Sequence, residues 1–424
     1  IRTTPLPVTV AETIERFADR PCIDFLGKQY DYAAVGDLID RTAKGLQDLG
    51  VGRGSRVGLY LPNTPYYVVF YHAVLRIGAT VVNYVRATGL RVRDGIVAGA
   101  DVRDEETGAT FEVPARAVIN ATGVFADELR RLDDPSATTM IAASQGAHLV
   151  LPKRFLPGDS AIMVPRTSDG RVLFAVPWHD RVVVGTTDIP VESTDLEPRP
   201  LAEELSFLME HAARYLTTDP APDDVLSAFA GLRPLVRADG TDSTAALSRD
   251  HTIVVSDRGL VTVTGGKWTT YRKMAEDVVD HAVRVAGLDP RPCRTSTLRV
   301  HGCPEPDSPA EVEPRLAHHG SDAAAVAGVE DVLGDRPLAD GIAVTAGQVA
   351  WAARHEQART VEDVLARRTR ALLLDARGST AAAAEVARIL ASETGRDDDW
   401  QREQVDAYTA LAGGYTFDAL MRGS

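Results

Sequence analysis

Apolar residues along the chain change period several times, and each change predicts an element. A helical period covers 10–18. Two short β-type runs, 22–26 and 29–32, flank Gly27-Lys28 as a hairpin, and a longer helix over 32–49 stops at Gly50. Strand 56–61, helix 65–75 and strand 80–83 then predict a βαβ unit. From 117 the pattern is mainly alternating: a strand at 117–120, a meander of 161–165, 172–177 and 182–187, and strands at 252–255 and 260–264. Asp169-Gly170, His179-Asp180 and Asp257-Arg258-Gly259 supply turns. Residues 201–216 return to the helical period, with Leu205, Leu208, Met209 and Ala212 on one face. Tyr271, Met274, Val278, Val279, Ala282, Val283 and Ala286 do the same before Gly287. Beyond a proline-containing linker at 300–313, helices are expected over 348–355, 361–375 and 380–393, two of them behind Thr or Ser caps.

Composition narrows this picture. The 424 residues are 44% hydrophobic and 25% charged, as in a globular protein of two to three domains. A net charge of −14 argues against nucleic acid as a partner, since a phosphate backbone needs a basic face. Three cysteines (Cys22, Cys293, Cys303) without a C-x-x-C motif suit a reducing cytosol. His301, Cys303, His318 and His319 read as loop residues rather than metal ligands, so no metal is expected. No apolar run reaches the length of a spanning helix. The chain opens on Ile1 rather than Met and reads as a fragment.

The candidate chemistry lies in a few turns. Strand 260–264 runs through Gly265-Gly266 into Lys267-Trp268-Thr269-Thr270 and a helix. Paired glycines let backbone N–H groups approach a ligand, and a helix start adds unpaired donors and the positive end of a dipole. Tight packing produces the same pair as often. Lys267 sharpens the signal, because only five lysines stand against 41 arginines and two of them fall here. Asn120-Ala121-Thr122-Gly123 ends a β-branched strand in a turn that either meets a cofactor or simply closes the strand. Gly231-Leu-Arg233-Pro-Leu235 and Ser248-Arg249-Asp250-His251 each offer a guanidinium suited to phosphate, although surface pairing is the plainer role for either. His148 heads an apolar strand, where a satisfied structural histidine is the commoner outcome. The paired aromatics Phe174 and Trp178, or Trp268, could flank a pocket, with core packing the default.

Together these segments, in this order, closely resemble the FAD-dependent, aerobic glycerol-3-phosphate dehydrogenases from about Val85 to the C-terminus. The resemblance implies an α/β plus α fold: a truncated FAD-binding domain of the glutathione-reductase-like, DAO type with mixed sheets at 85–296, and a helical C-terminal cap domain at 297–424. It implies FAD as cofactor, and hydride transfer from C2 of sn-glycerol 3-phosphate to the flavin, giving dihydroxyacetone phosphate, with electrons passed on to a quinone. His148 would take the hydroxyl proton, Arg233 would lie near the glycerol hydroxyls and Arg249 would hold the phosphate. Lys267 would reach the flavin or the phosphate. Ala121, Thr122, Gly123, Gly265, Gly266, Thr269 and Thr270 would contact the cofactor, the two threonines capping the helix aimed at the flavin. Location would be cytoplasmic, with a peripheral contact to the inner membrane.

Residues 1–84 depart from that family. Gly54-Ser-Arg-Val-Gly-Leu-Tyr-Leu-Pro-Asn63 resembles the opening of the adenylate-forming acyl-CoA synthetases, and the dinucleotide fingerprint G-x-G-x-x-G is not in the sequence. The chain therefore reads as a chimera of two incomplete enzymes. The alternatives to a dehydrogenase are an acyl-CoA synthetase fragment and an inactive fusion.

Overall fold

The computed structural model describes residues 6–25, 28–48, 56–58, 73, 76, 80–82, 85–165, 167, 171–237, 251–303 and 313–422. The front unit follows the sequence pattern. Helix α1 (Leu6–Arg16) precedes a hairpin of β1 (Pro21–Phe25) and β2 (Lys28–Asp31), and α2 (Tyr32–Asp48) follows. Strands β3 (Arg56–Gly58) and β4 (Thr80–Val82) pair in parallel. Val35, Ile39 and Ala43 recur at four-residue spacing on α2 and close a small core with Ala73. The hairpin tip and most of the helix expected over 65–75 lie outside the described residues.

Between 85 and 114 the periodicity alone predicted no element, yet three antiparallel strands form there: β5 (Val85–Arg93), β6 (Ile96–Asp104) and β7 (Thr110–Pro114). Charge interrupts the alternation and explains the miss. Arg91 crosses to Asp101 at 2.7 Å, so polar pairs carry part of the sheet that apolar pairs would otherwise carry.

A six-stranded antiparallel sheet dominates the middle. Its long central strand is β9 (Ile141–Pro152). On one side lie β12 (Arg181–Gly185), then β11 (Leu173–Trp178) and β10 (Ile162–Val164), with the two-residue β13 (Ile189–Pro190) further along β9. On the other side β14 (Ser227–Val236) runs the whole length of β9. Pro234 is tolerated because β14 is an edge strand. Leu149, Leu151, Val182, Val184 and Leu173 face helix α4 (Ala202–Tyr215; helix α3, Ala126–Asp133, precedes it). Leu205, Leu208 and Ala212 cover them, as the 3.6-residue period requires, and each buried leucine contributes roughly 1.5–3 kcal/mol. A second, three-stranded sheet pairs β16 (Leu260–Gly265) in parallel with β8 (Val118–Asn120) and antiparallel with β15 (His251–Val255), under helix α5 (Tyr271–Val285).

The C-terminal part is helical. Helix α6 (Ala323–Leu333), the hairpin β17 (Pro337–Ala339)–β18 (Ile342–Thr345), α7 (Ala346–His355), α8 (Ala376–Thr394) and α9 (Asp398–Gly413) share a core around Val349, Leu365, Val386, Leu390 and Tyr408, and α10 (Phe417–Arg422) follows. Two expectations need correction. The single helix over 361–375 is instead a π-helical turn, Asp363–Arg368, a left-handed residue at Arg370 (φ 61°) and one further turn, Ala371–Leu374. Thr369 directs both its backbone N–H and its hydroxyl to the Val364 carbonyl, five residues back, which opens the helix. Ser379 is not a cap. Helix α8 starts earlier, at Asp375, whose carboxylate accepts from the Gly378 N–H at 2.8 Å, and Ser379 lies buried inside it. Phe417 and Leu420 of α10 pack beneath the six-stranded sheet beside α4, so the helical part backs the face of β9 opposite to His148.

Candidate active site

Strand register puts His148 and Arg233 together. Across the large sheet Met163, Phe174, Gly185, His148 and Phe229 stand opposite one another in a row, so their side-chain positions share the face away from α4. Ser144, Gly146 and His148 alternate along β9 on that same face, opposite Arg233, Gly231 and Phe229. Two glycines leave room for two functional groups. A Cβ at Gly146 would stand 2.2 Å from Nη2 of Arg233, and one at Gly185 would stand 2.1 Å from the His148 ring. The His148 ring stacks on Phe229 with centroids 5.1 Å apart.

The environment sets the charge of each group. Burial, then the positive charge of Arg233, lowers the His148 pKa to about 4, so the imidazole is neutral at physiological pH. Its Nδ1 is buried with no hydrogen-bond partner among the described residues. Arg233 donates from Nη2 to Thr186 Oγ1 (3.0 Å) and the Thr187 carbonyl (3.1 Å), and from Nη1 to Asp188 (3.3 Å). A neutral imidazole next to a fixed guanidinium can take a proton from an alcohol while the cation holds the oxygen.

The glycine-containing turns lie at the ends of the parallel pair. Val118, Ile119 and Asn120 align with Leu260, Val261 and Thr262, so Ala121-Thr122-Gly123 and Gly265-Gly266 both emerge at the carboxyl ends of their strands, where α/β sheets collect ligands. Ala121 and Thr122 are exposed, and Gly123 (φ 61°) has open space where a side chain would stand. Buried Asn120, named in the sequence only as the start of the motif, organises this turn. Its Nδ2 donates to the Ala126 carbonyl (2.8 Å) and to Thr262 Oγ1 (3.3 Å), and its Oδ1 accepts from the Thr122 hydroxyl (2.8 Å). The Thr122 hydroxyl proton is therefore committed within the turn.

Gly265 and Gly266 both have φ 75°, the left-handed region expected of such a turn. Gly266 also serves packing, because a Cβ there would lie 2.4 Å from Met274 Sδ. The helix does not start directly after the glycines. A 3₁₀ turn, Trp268–Thr270, precedes α5, and Thr270 alone of the two threonines closes it, accepting from the Lys267 N–H at 3.1 Å. Lys267 is exposed, and Trp268 is 86% exposed and stacks on Tyr271 at 5.4 Å. Trp268 and the 42%-exposed Phe174 are thus surface aromatics rather than core. Arg249 lies outside the described residues.

Strand β14 lies against both β16 and the 3₁₀ turn Gly123–Phe125, which links the His148–Arg233 face to the turns. Beside this junction is a cavity of about 550 Å³ lined by Val124, Asp127, Arg131, Ala143, Pro190 and Arg237 among others. A second, of about 590 Å³, lies between Arg130, Asp133 and the β15–β16 turn. His148, Arg233 and Lys267 line neither, so the structure joins two pairs of expected site residues without enclosing all of them in one hollow.

Comparisons with known proteins show what the chain as a whole is similar to. The sequence model of the FAD dependent oxidoreductases matches residues 8–272, and that of the C-terminal domain of alpha-glycerophosphate oxidase matches 261–401. The mitochondrial glycerol-3-phosphate dehydrogenase of Arabidopsis thaliana is 38% identical over 360 residues, covering 77% of this chain and 57% of its own length. That of Mesocricetus auratus is 35% identical over 364 residues, covering 79% and 49%. The chain thus spans about half the length of the curated relatives it matches. The solved glycerol-3-phosphate dehydrogenase of Bacillus halodurans, complexed with FAD, superposes with a TM-score of 0.67 at 26% identity, covering 82% of this chain and 72% of that one.

Proposed function

The chain belongs to the FAD dependent oxidoreductase family, and from that premise we propose that it oxidises sn-glycerol 3-phosphate to dihydroxyacetone phosphate with FAD as cofactor. The observation that carries this reading is the placement of neutral His148 against Arg233, each in a slot left by a glycine. The fit to a flavin is partial. Gly123, with open space where a side chain would stand, and the Gly265-Gly266 turn offer backbone at the carboxyl ends of two parallel strands, and Lys267 adds a positive charge there. The sequence holds no G-x-G-x-x-G segment to grip a pyrophosphate. Ala121, Thr122, Gly123, Gly265, Gly266, Lys267 and Thr270 would hold the cofactor, and Thr269 would flank them. The chemistry that a bound FAD supplies is that of a two-electron acceptor.

The chain's own residues do the rest. His148 takes the proton of the C2 hydroxyl, and the Arg233 guanidinium holds that oxygen as negative charge develops on it. Arg249 holds the phosphate, and Lys267 reaches either the flavin or that phosphate, since a dianion leaving water needs more than one charged partner. Quinone is the electron acceptor in this reading, from a cytoplasmic position with peripheral membrane contact. Among the described residues no helix is long and apolar enough to cross a membrane. Domains at 1–84, 85–296 and 297–424 are part of the proposal.

A second reading treats residues 1–84 as a segment of acyl-CoA-synthetase type fused to an incomplete, inactive dehydrogenase. Its support is the separate small core around Val35, Ile39 and Ala43. The family match, which starts at residue 8, runs through that segment and favours the first reading. Comparing oxidation of glycerol 3-phosphate to dihydroxyacetone phosphate with oxidation of glycerol to dihydroxyacetone, with ATP–pyrophosphate exchange run alongside, separates the readings. Turnover confined to glycerol 3-phosphate supports the dehydrogenase, and exchange without turnover defeats it.

A further inference from the structure

We propose that Asp188 is the positioning residue that holds the Arg233 guanidinium over Gly146, beside His148. The proposal rests on the reading of His148 and Arg233 as the substrate-facing pair and adds what keeps them in register.

An arginine on an edge strand has several flexible bonds and ordinarily extends into water. Arg233 does not. It folds across the neighbouring strand at the one position without a Cβ and ends on the turn that follows β12. Thr186 Oγ1 and the Thr187 carbonyl are neutral acceptors, whereas Asp188 is the only charged partner of this guanidinium among the described residues. Asp188 is itself held by the Ser144 hydroxyl, from the β9 position directly opposite Arg233.

The turn is anchored from behind as well. Thr187 turns its hydroxyl the other way, where it accepts from the Ala147 N–H (2.8 Å) and donates to Glu204. Glu204, 1% exposed, accepts in addition from Gln145 Nε2 (2.7 Å) and the Leu201 N–H (2.9 Å). Buried polar groups satisfied on every side make a stiff support. Asp188 therefore projects from a rigid turn, and a guanidinium that meets it has little freedom left. Geometry of this kind matters because small misplacements of a substrate-holding group cost large factors in rate.

His148 reports where Arg233 is. With Arg233 over Gly146, its charge disfavours the imidazolium. If Asp188→Ala frees the arginine, that charge moves away and the His148 pKa rises toward its value in Arg233→Met. If Arg233 stays in place without Asp188, a nearby negative charge has been lost and the pKa falls or is unchanged. The two directions separate positioning from mere proximity.

The test is an NMR titration of the full chain, with the His148 resonance assigned by its loss in His148→Gln. We expect a rise of about one unit in Asp188→Ala, and a smaller rise in Ser144→Ala, which removes the hydroxyl that steadies Asp188. Should Asp188→Ala not fold, Ser144→Ala decides alone. A His148 pKa that falls or does not move overturns the proposal. Because the titration needs neither flavin nor substrate, it stands or fails independently of the assay for glycerol 3-phosphate oxidation.

Discussion

At the scale of single residues, the site depends on two missing methyl groups. Gly185 admits the His148 ring and Gly146 admits the Arg233 guanidinium. Gly185→Ala must push the imidazole aside, and we expect dihydroxyacetone phosphate formation to drop on the order of 100-fold while the protein stays folded. The pH profile should carry the same signature. Because the His148 pKa is lowered to about 4, the acid limb of kcat/KM falls near that value, and Arg233→Met, by removing a positive charge, moves it upward toward 6.5. An acid limb already near 6.5 in the unaltered protein would mean that another group is the base. His148 was legible as a candidate through the family resemblance, although it lies within β9 rather than at the head of a strand. The glycines that seat it were not, since their partners come from other strands and only register brings them together.

Among the elements, long strongly periodic segments were read almost to the residue. Helix α4 was expected over 201–216 and spans Ala202–Tyr215, and the meander of β10, β11 and β12 lies where alternation placed it. The misses share a cause, namely polar side chains competing for backbone groups or replacing apolar contacts. Thr369 opened a helix, and charged pairs carried part of β5–β7. Caps behaved more simply. Thr345 accepts from the Gln348 N–H at 3.1 Å and also donates to buried Glu330 at 2.7 Å. Thr345→Ala removes the cap and strips one partner from that carboxylate, so urea unfolding should show a loss of roughly 1–3 kcal/mol. A change within a few tenths of a kcal/mol would show that neither contact matters.

For the whole molecule, a cluster of histidines ties the helical part to acid sensitivity. Burial lowers the pKa of His318, His319 (to about 4) and His355, with neighbouring positive charge adding to the effect. A histidine whose folded pKa lies below its unfolded value of about 6.5 binds protons preferentially when unfolded. Its stabilising effect is complete above pH 6.5 and is lost as the pH falls toward 4. Glu356, whose pKa burial raises, works in the opposite sense. Tm should therefore fall between pH 6.5 and 4.5, and His319→Gln should flatten that slope; an unchanged slope would show that His319 does not contribute.

The central claim is that this fold sets a flavin against a phosphorylated secondary alcohol, with His148 and Arg233 on the substrate side. The direct measurement is the visible flavin spectrum of the FAD-reconstituted protein under anaerobic conditions, before and after glycerol 3-phosphate. The account predicts that the oxidised flavin band bleaches with stoichiometric release of dihydroxyacetone phosphate, and that His148→Gln slows the bleaching 100-fold or more. A protein that takes up FAD but keeps its oxidised spectrum in the presence of substrate would contradict it.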